Sequence, residues 1–280
     1  MDLNNLVEEK DVKDLQKEEK KFKFSLKRTL LGIFSVLLLW STKPNIEYAI
    51  TKLEADNNSY IARILNDTSL SREEQISQIY QTALMENHKI SEDLKKRLMD
   101  AFTTEVIAYA GCFFTDEIIK NMYAVVKTED IREMYKFEKE YGWWDGNYIS
   151  FSNSISIDSM YADKTLLAHE QMHAILKDGL FGSGLIHGIH GYGINEGATV
   201  SFVKSDHSYS FQNRTFDLLG LVLGYKDIFQ TYTNSNLSEL MQILSQYIPP
   251  QEAKELILLL DRDVFRRICT NIYGKKSNSI

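Results

Sequence analysis

Asp163-Lys164-Thr165-Leu166-Leu167-Ala168-His169-Glu170-Gln171-Met172-His173-Ala174-Ile175-Leu176 is the stretch from which the rest of the chain is read. It is helical by composition, because Leu, Ala, Glu, Gln and Met lose little side-chain freedom in a helix. Asp163 or Ser159 can cap its start and Gly179 can end it. His169 and His173 are four positions apart, so their imidazoles project from one face about one turn apart. Two neutral imidazoles so placed can hold one zinc ion at about 2.0–2.1 Å. Glu170 follows the first of them, where it can reach a water on the metal without ligating the metal itself.

A catalytic zinc takes three protein ligands and leaves a fourth position open. The extended spacing HExxHxxGxxH would need glycine and histidine at positions 176 and 179; the chain has Leu176 and Gly179, which excludes it. A glycine-rich connection (Gly182, Gly184, Gly188, Gly191, Gly193) leads instead to a second expected helix, Ile194-Asn195-Glu196-Gly197-Ala198-Thr199-Val200-Ser201-Phe202-Val203. Glu196 lies 23 positions after His173, a length that lets this helix fold back and offer a carboxylate oxygen to the metal. His187 and His190, within the connection, are the alternative third ligands, against a purely structural role in the loop. Tyr192, His207 and Tyr209 are candidates to donate a hydrogen bond to a tetrahedral oxyanion, each being otherwise a packing or surface residue.

The pair of motifs His169-Glu170-Gln171-Met172-His173 and Asn195-Glu196-Gly197-Ala198 resembles the gluzincin zinc metallopeptidases, the thermolysin- and aminopeptidase-like clan, over roughly residues 147–205. The resemblance implies a zincin-like catalytic domain holding one Zn2+ on His169, His173 and Glu196. It further implies hydrolysis of a peptide bond by metal-activated water with Glu170 as general base. Thermolysin-like members place a carboxylate four residues after the third ligand; here that position is Val200, and Thr199 beside it is the residue left to support a ligand. The exopeptidase element Gly-Ala-Met-Glu-Asn is absent, which favours an endopeptidase over an aminopeptidase. The rival readings are a catalytically inactive zincin-like module that binds peptides, and a helical envelope scaffold in which the motif is accidental.

Immediately upstream, Gly142-Trp143-Trp144-Asp145-Gly146 breaks the helical period and reads as a turn, with the two tryptophans packed there or lining a cleft. Asn147–Phe151 and Ser154–Asp158 are rich in β-branched and aromatic residues and flank Ser152-Asn153, the pattern of a short hairpin. The strand just before the active helix, Ser154–Asp158, is expected to be a natural edge for an extended peptide substrate to join. Farther upstream, Ile46 to Ala110 predicts three amphipathic helices with breaks at Asp56–Ser59, Asp67–Ser69 and Ser91. Ser71-Arg72-Glu73-Glu74 is a capping box. Thr115–Val126 and Glu129–Glu140 read as two further helices, and His88 as a solvated side chain in a connection. Downstream, Phe216–Leu223, Lys226–Tyr232, Leu237–Tyr247 and Gln251–Tyr273 are apolar-periodic, and Pro249-Pro250 opens the last of them. The fold class expected is therefore mainly α with a small β hairpin or sheet. Its organisation is a helical lead-in (43–140) followed by the zincin-like domain with its C-terminal helical part (141–280).

The first forty residues carry a different signal. Residues 1–28 are a polar tail, and six cations (Lys17, Lys20, Lys21, Lys23, Lys27, Arg28) stand against Glu18 and Glu19 before the apolar run Leu30–Trp40. Such a run within 29–42 fits a secretory signal or a short signal-anchor, since a full span wants about 20 apolar residues. Either role leaves the cations cytoplasmic and the catalytic domain outside the cell membrane or secreted. The alternative is a cytosolic chain that buries this run as a core helix. The net charge of −7 over 280 residues argues against a nucleic-acid partner. Cys112 and Cys269 cannot build a disulfide scaffold; two reduced, buried thiols are the reading favoured over one bridge.

Overall fold

The computed structural model describes residues 43–134, 146–150, 152–158, 162–178, 182–183, 186–187, 192–203, 216–217, 219–221, 223–233 and 237–259. The tail 1–28, the segment 29–42, the turn around Trp143 and Trp144, and Cys269 lie outside them. Among the described residues no helix is long and apolar enough to cross a membrane.

Every polar break read in the lead-in ends a helix, so four helices form where three are expected. These are α1 (43–56), α2 (Ser59–Leu65), α3 (Arg72–Glu86) and α4 (Glu92–Ala101). Asn58 caps α2 by accepting from the backbone N–H groups of Tyr60 and Ile61. The Ser71/Glu74 capping box is formed at α3, and Ser91 accepts from the Leu94 N–H at α4. Orphan N–H groups of a first turn are thus satisfied locally, which is why these positions start helices. Beyond α4 the chain continues through a π-helical stretch, Phe102–Ile107, and α5 (Asp116–Thr128) follows with Thr115 as its cap. Cys112, expected to be buried, is an exposed free thiol.

The expected helix over Glu129–Glu140 does not form at its start. Glu129 is extended (ψ 157°), and Asp130–Glu133 is a strand, β1. Two tertiary contacts outweigh the helical propensity there. The Asn87 side chain donates to the carbonyls of Val126 and Glu129, and β1 pairs in parallel with Ser154–Ile157, β3. The expected hairpin is present: Gly146–Ile149, β2, pairs antiparallel with β3, Tyr148 opposite Ile155. The sheet order is β1-β3-β2, so the strand just before the active helix, β3, is not the expected edge: it is paired on both sides and buried throughout, and among the described strands β2 is an edge. Asn153 turns the hairpin with φ +47°, a conformation asparagine tolerates better than most residues.

The quoted stretch forms α6 (Lys164–Ile175), capped by Asp163, whose carboxylate accepts from the Leu166 N–H at 2.8 Å. After it the glycine-rich connection, read as a loop, carries a second small antiparallel sheet of two-residue strands: β4 (Lys177–Asp178), β5 (Gly182–Ser183) and β6 (Ile186–His187). Then come α7 (Tyr192–Val203), α8 (Tyr225–Thr233), α9 (Leu237–Ser245) and α10 (Pro250–Leu259), which Pro250 opens as expected. The fold is mainly α with a small three-stranded sheet. One hydrophobic cluster runs from Tyr48 to Ala253, through the lead-in helices and the C-terminal ones alike. Helix α6 is at its centre, touching α4, α5, α7 and β2.

Candidate metal centre

From Leu167 to Leu176 every residue of the HExxH helix is buried, polar ones included. A buried polar side chain is costly unless something satisfies it, so each of these must be matched by a partner. On one side of α6, Gln171 donates to the Glu129 carboxyl at 2.7 Å and accepts from the Tyr80 hydroxyl at 3.2 Å. Burial pushes the Glu129 carboxyl up to about 8, against the hydrogen bond from Gln171 that favours its charge.

On another face stand His169 and His173, and α7 folds back so that Glu196 meets them, as its spacing predicts. His169 Nε2 lies 3.1 Å from Glu196 Oε2 and 3.1 Å from His173 Nε2, and the third side of the triangle is 3.3 Å. All three groups are buried. Three lone pairs converging at such distances repel unless a proton or cation lies among them. In a tetrahedral shell of 2.0–2.1 Å bonds, ligand atoms sit about 3.3 Å apart, close to the edges of this triangle. Two imidazole nitrogens and one carboxylate oxygen are also the donor set of a catalytic zinc with an open position. The residues present therefore fit the ion. Burial raises the Glu196 carboxyl, but the neighbouring His173 and His169 outweigh it and hold Glu196 well below the usual carboxylate range.

Behind the triangle the ring of His173 is supported through Nδ1. The Asn195 amide nitrogen Nδ2 is 3.0 Å from it and the Thr199 hydroxyl 3.4 Å. Thr199 also bonds the buried Tyr232 hydroxyl at 2.6 Å.

Glu170 is turned toward β2 rather than into the triangle. It accepts the backbone N–H of Tyr148, while its Oε2 is buried without a hydrogen-bond partner. Burial raises its carboxyl to about 7, the charge of Glu196 adding to that and His169 opposing it. Strand β2 passes so close that a Cβ on Gly146 would fall 2.8 Å from Glu170 Oε1.

No family model, curated protein or solved structure matches the chain.

Of the residues singled out from sequence, His169, Glu170, His173 and Glu196 are brought together. Tyr192 begins α7 and His187 lies on β6, but their side chains are outside the described set, as are His190, His207 and Tyr209 altogether. His88 is exposed and is not one of the three groups of the triangle. Thr199 does stand behind His173. The contributions of Gly146, Tyr148, Gln171, Glu129 and Tyr232 were not legible, since each depends on which elements become neighbours. For Gly146 the one available signal was a glycine at the start of a strand pattern, which marks close backbone approach.

Proposed function

We propose that the protein is a zinc-dependent peptidase, an endopeptidase of gluzincin type, in which His169, His173 and Glu196 hold the metal and Glu170 is the general base. The observation that carries the reading is the buried His-His-Glu triangle with a second, differently oriented carboxylate, Glu170, beside it. When bound, zinc supplies Lewis acidity and a water acidic enough to be deprotonated near neutral pH. Glu170, with one oxygen anchored to the Tyr148 N–H, keeps its unpartnered Oε2 for the proton of the attacking water and passes that proton to the leaving amine. Strand β2 is the sheet edge that Glu170 adjoins, which supports an extended peptide as substrate, lying antiparallel or parallel to it. The cationic and apolar N-terminal sequence supports action outside the cell membrane or after secretion.

Metal analysis of the purified chain should give one zinc per chain, and a chelator should abolish turnover of a peptide library. Glu170→Gln should retain the zinc and lose turnover by about 10²–10⁴-fold, the range expected for removal of a general base. Normal cleavage by that variant would overturn the assignment. Zinc binding with no turnover by the natural chain would leave a peptide-binding module instead, and absence of zinc a scaffold.

A further inference from the structure

We infer that Tyr232, acting through Thr199, is a positioning residue that sets the tautomer of His173, leaving its Nε2 bare toward Glu196 and His169. The consequence for metal binding rests on the peptidase reading; the tautomer itself does not.

A threonine hydroxyl has one proton to give and two lone pairs. The Thr199 hydroxyl meets three groups: the Asn195 carbonyl oxygen at 2.9 Å, the Tyr232 hydroxyl at 2.6 Å and His173 Nδ1 at 3.4 Å. The carbonyl can only accept, so it takes the threonine proton. Tyr232 must then donate to Thr199. One lone pair remains, and it faces Nδ1. It is satisfied only if Nδ1 carries a hydrogen, which leaves the lone pair of the neutral ring on Nε2. Asn195 is placed with its Nδ2 toward Nδ1; the two ends of an amide exchange by rotation, and the Nδ1–H form requires the amide turned so that its oxygen accepts from the ring.

The Tyr232 hydroxyl is what imposes this direction. Tyr232 is fully buried, its ring set among Phe202, Phe216 and Phe229 at centroid distances of 5.9, 6.4 and 6.1 Å. A phenol proton in such a cage needs an acceptor, and Thr199 is there to accept it. Without that donor the Thr199 proton is free to swing to Nδ1. The Asn195 NH2 can then donate to the same atom, and the ring proton moves to Nε2, where it obstructs a cation. A phenylalanine at 232 would pack equally well in the cage, so the hydroxyl is the informative group.

The test uses the full chain with Tyr232→Phe, Thr199→Val and Thr199→Ser. Two quantities are measured: the affinity for Zn2+, by competition with a chromophoric chelator, and the ring tautomer of His173 in the zinc-free chain at alkaline pH, by long-range 15N–1H correlation. The natural chain and Thr199→Ser should show the Nδ1–H form. Tyr232→Phe and Thr199→Val should shift toward Nε2–H and bind Zn2+ about 10–100-fold more weakly, the range for loss of a group orienting a metal ligand. If both variants keep the natural tautomer and affinity, the inference is overturned while the peptidase reading stands. If the natural chain takes up no Zn2+, the peptidase reading fails and the tautomers alone decide the role of Tyr232. Should Tyr232→Phe not fold, the contrast between Thr199→Val and Thr199→Ser carries the decision.

Discussion

At Gly146 the backbone of β2 lies against Glu170, and an added Cβ would come within 2.9 Å of its Cγ as well as 2.8 Å of Oε1. Real Cβ atoms do not approach that closely, so Gly146→Ala must move the carboxylate. A displacement of about 1 Å at a reacting group costs on the order of a hundredfold in rate. We expect that loss in peptide turnover with zinc content unchanged, measured on the same preparation. On the opposite side of α6, Glu129 makes a different demand. Its carboxyl is raised from about 4.5 to about 8 by burial, so between those pH values the native chain keeps a proton that the unfolded chain releases. Stability is therefore lost as pH rises through that window and levels off above it, with a cost on the order of a few kcal/mol. Glu129→Gln keeps an uncharged side chain there and should flatten the profile. Urea denaturation with chelator present, at pH 5 and pH 8, should show the variant gaining on the natural chain at the higher value. Equal profiles would mean that Glu129 ionises normally.

At the scale of elements, the sheet is bolted to α5 by one side chain. Asn153 accepts from the Tyr148 hydroxyl at 2.9 Å and donates to the Thr128 hydroxyl at 2.9 Å and the Val125 carbonyl at 3.3 Å. Its left-handed backbone makes the turn between β2 and β3. Asn153→Gly keeps the turn but deletes the side-chain bonds, and buried groups left unpaired cost about 1–3 kcal/mol each. Asn153→Ala adds about 1 kcal/mol of backbone strain. Both should melt below the natural chain, alanine lower than glycine, in thermal unfolding followed by circular dichroism; the reverse order would show that the turn relaxes. The start of β1 carries a related lesson. Asp130-Ile131-Arg132-Glu133 has the composition of a helix, yet it pairs with β3 because Asn87 draws in the Val126 and Glu129 carbonyls at the end of α5. Local propensity is worth only tenths of a kcal/mol per residue, and a ladder of backbone bonds on a buried strand exceeds it.

For the whole molecule, the His169, His173 and Glu196 group ties α6 to α7, and Thr199 and Tyr232 tie α7 to α8. A cation that binds only the folded chain stabilises it by mass action, about 4 kcal/mol at a thousand times its dissociation constant. Added zinc should therefore raise the melting temperature in proportion to the logarithm of its free concentration. The rise should vanish in His169→Ala, and a chelator should reverse it in the natural chain. An equal rise in His169→Ala would place the metal elsewhere. The C-terminal helices read from sequence as bland packing, and most of their residues are that. Tyr232 differs only by one oxygen, whose partner lies 33 positions away.

What the chain states locally was legible: the helix around His169 and His173, the carboxylate on a second helix at Glu196, the caps at Ser71, Ser91 and Asp163, and the turn at Asn153. Each of these follows from the period of a helix or from a side chain bonding its own backbone neighbours, which needs no knowledge of distant residues. Tertiary structure alone decided which atoms surround the motif, among them Gly146 over Glu170, Glu129 beneath Gln171 and Tyr232 behind His173. Those contacts join residues tens of positions apart, and their energies arise from burial and from hydrogen bonds that exist only once the core has closed around them.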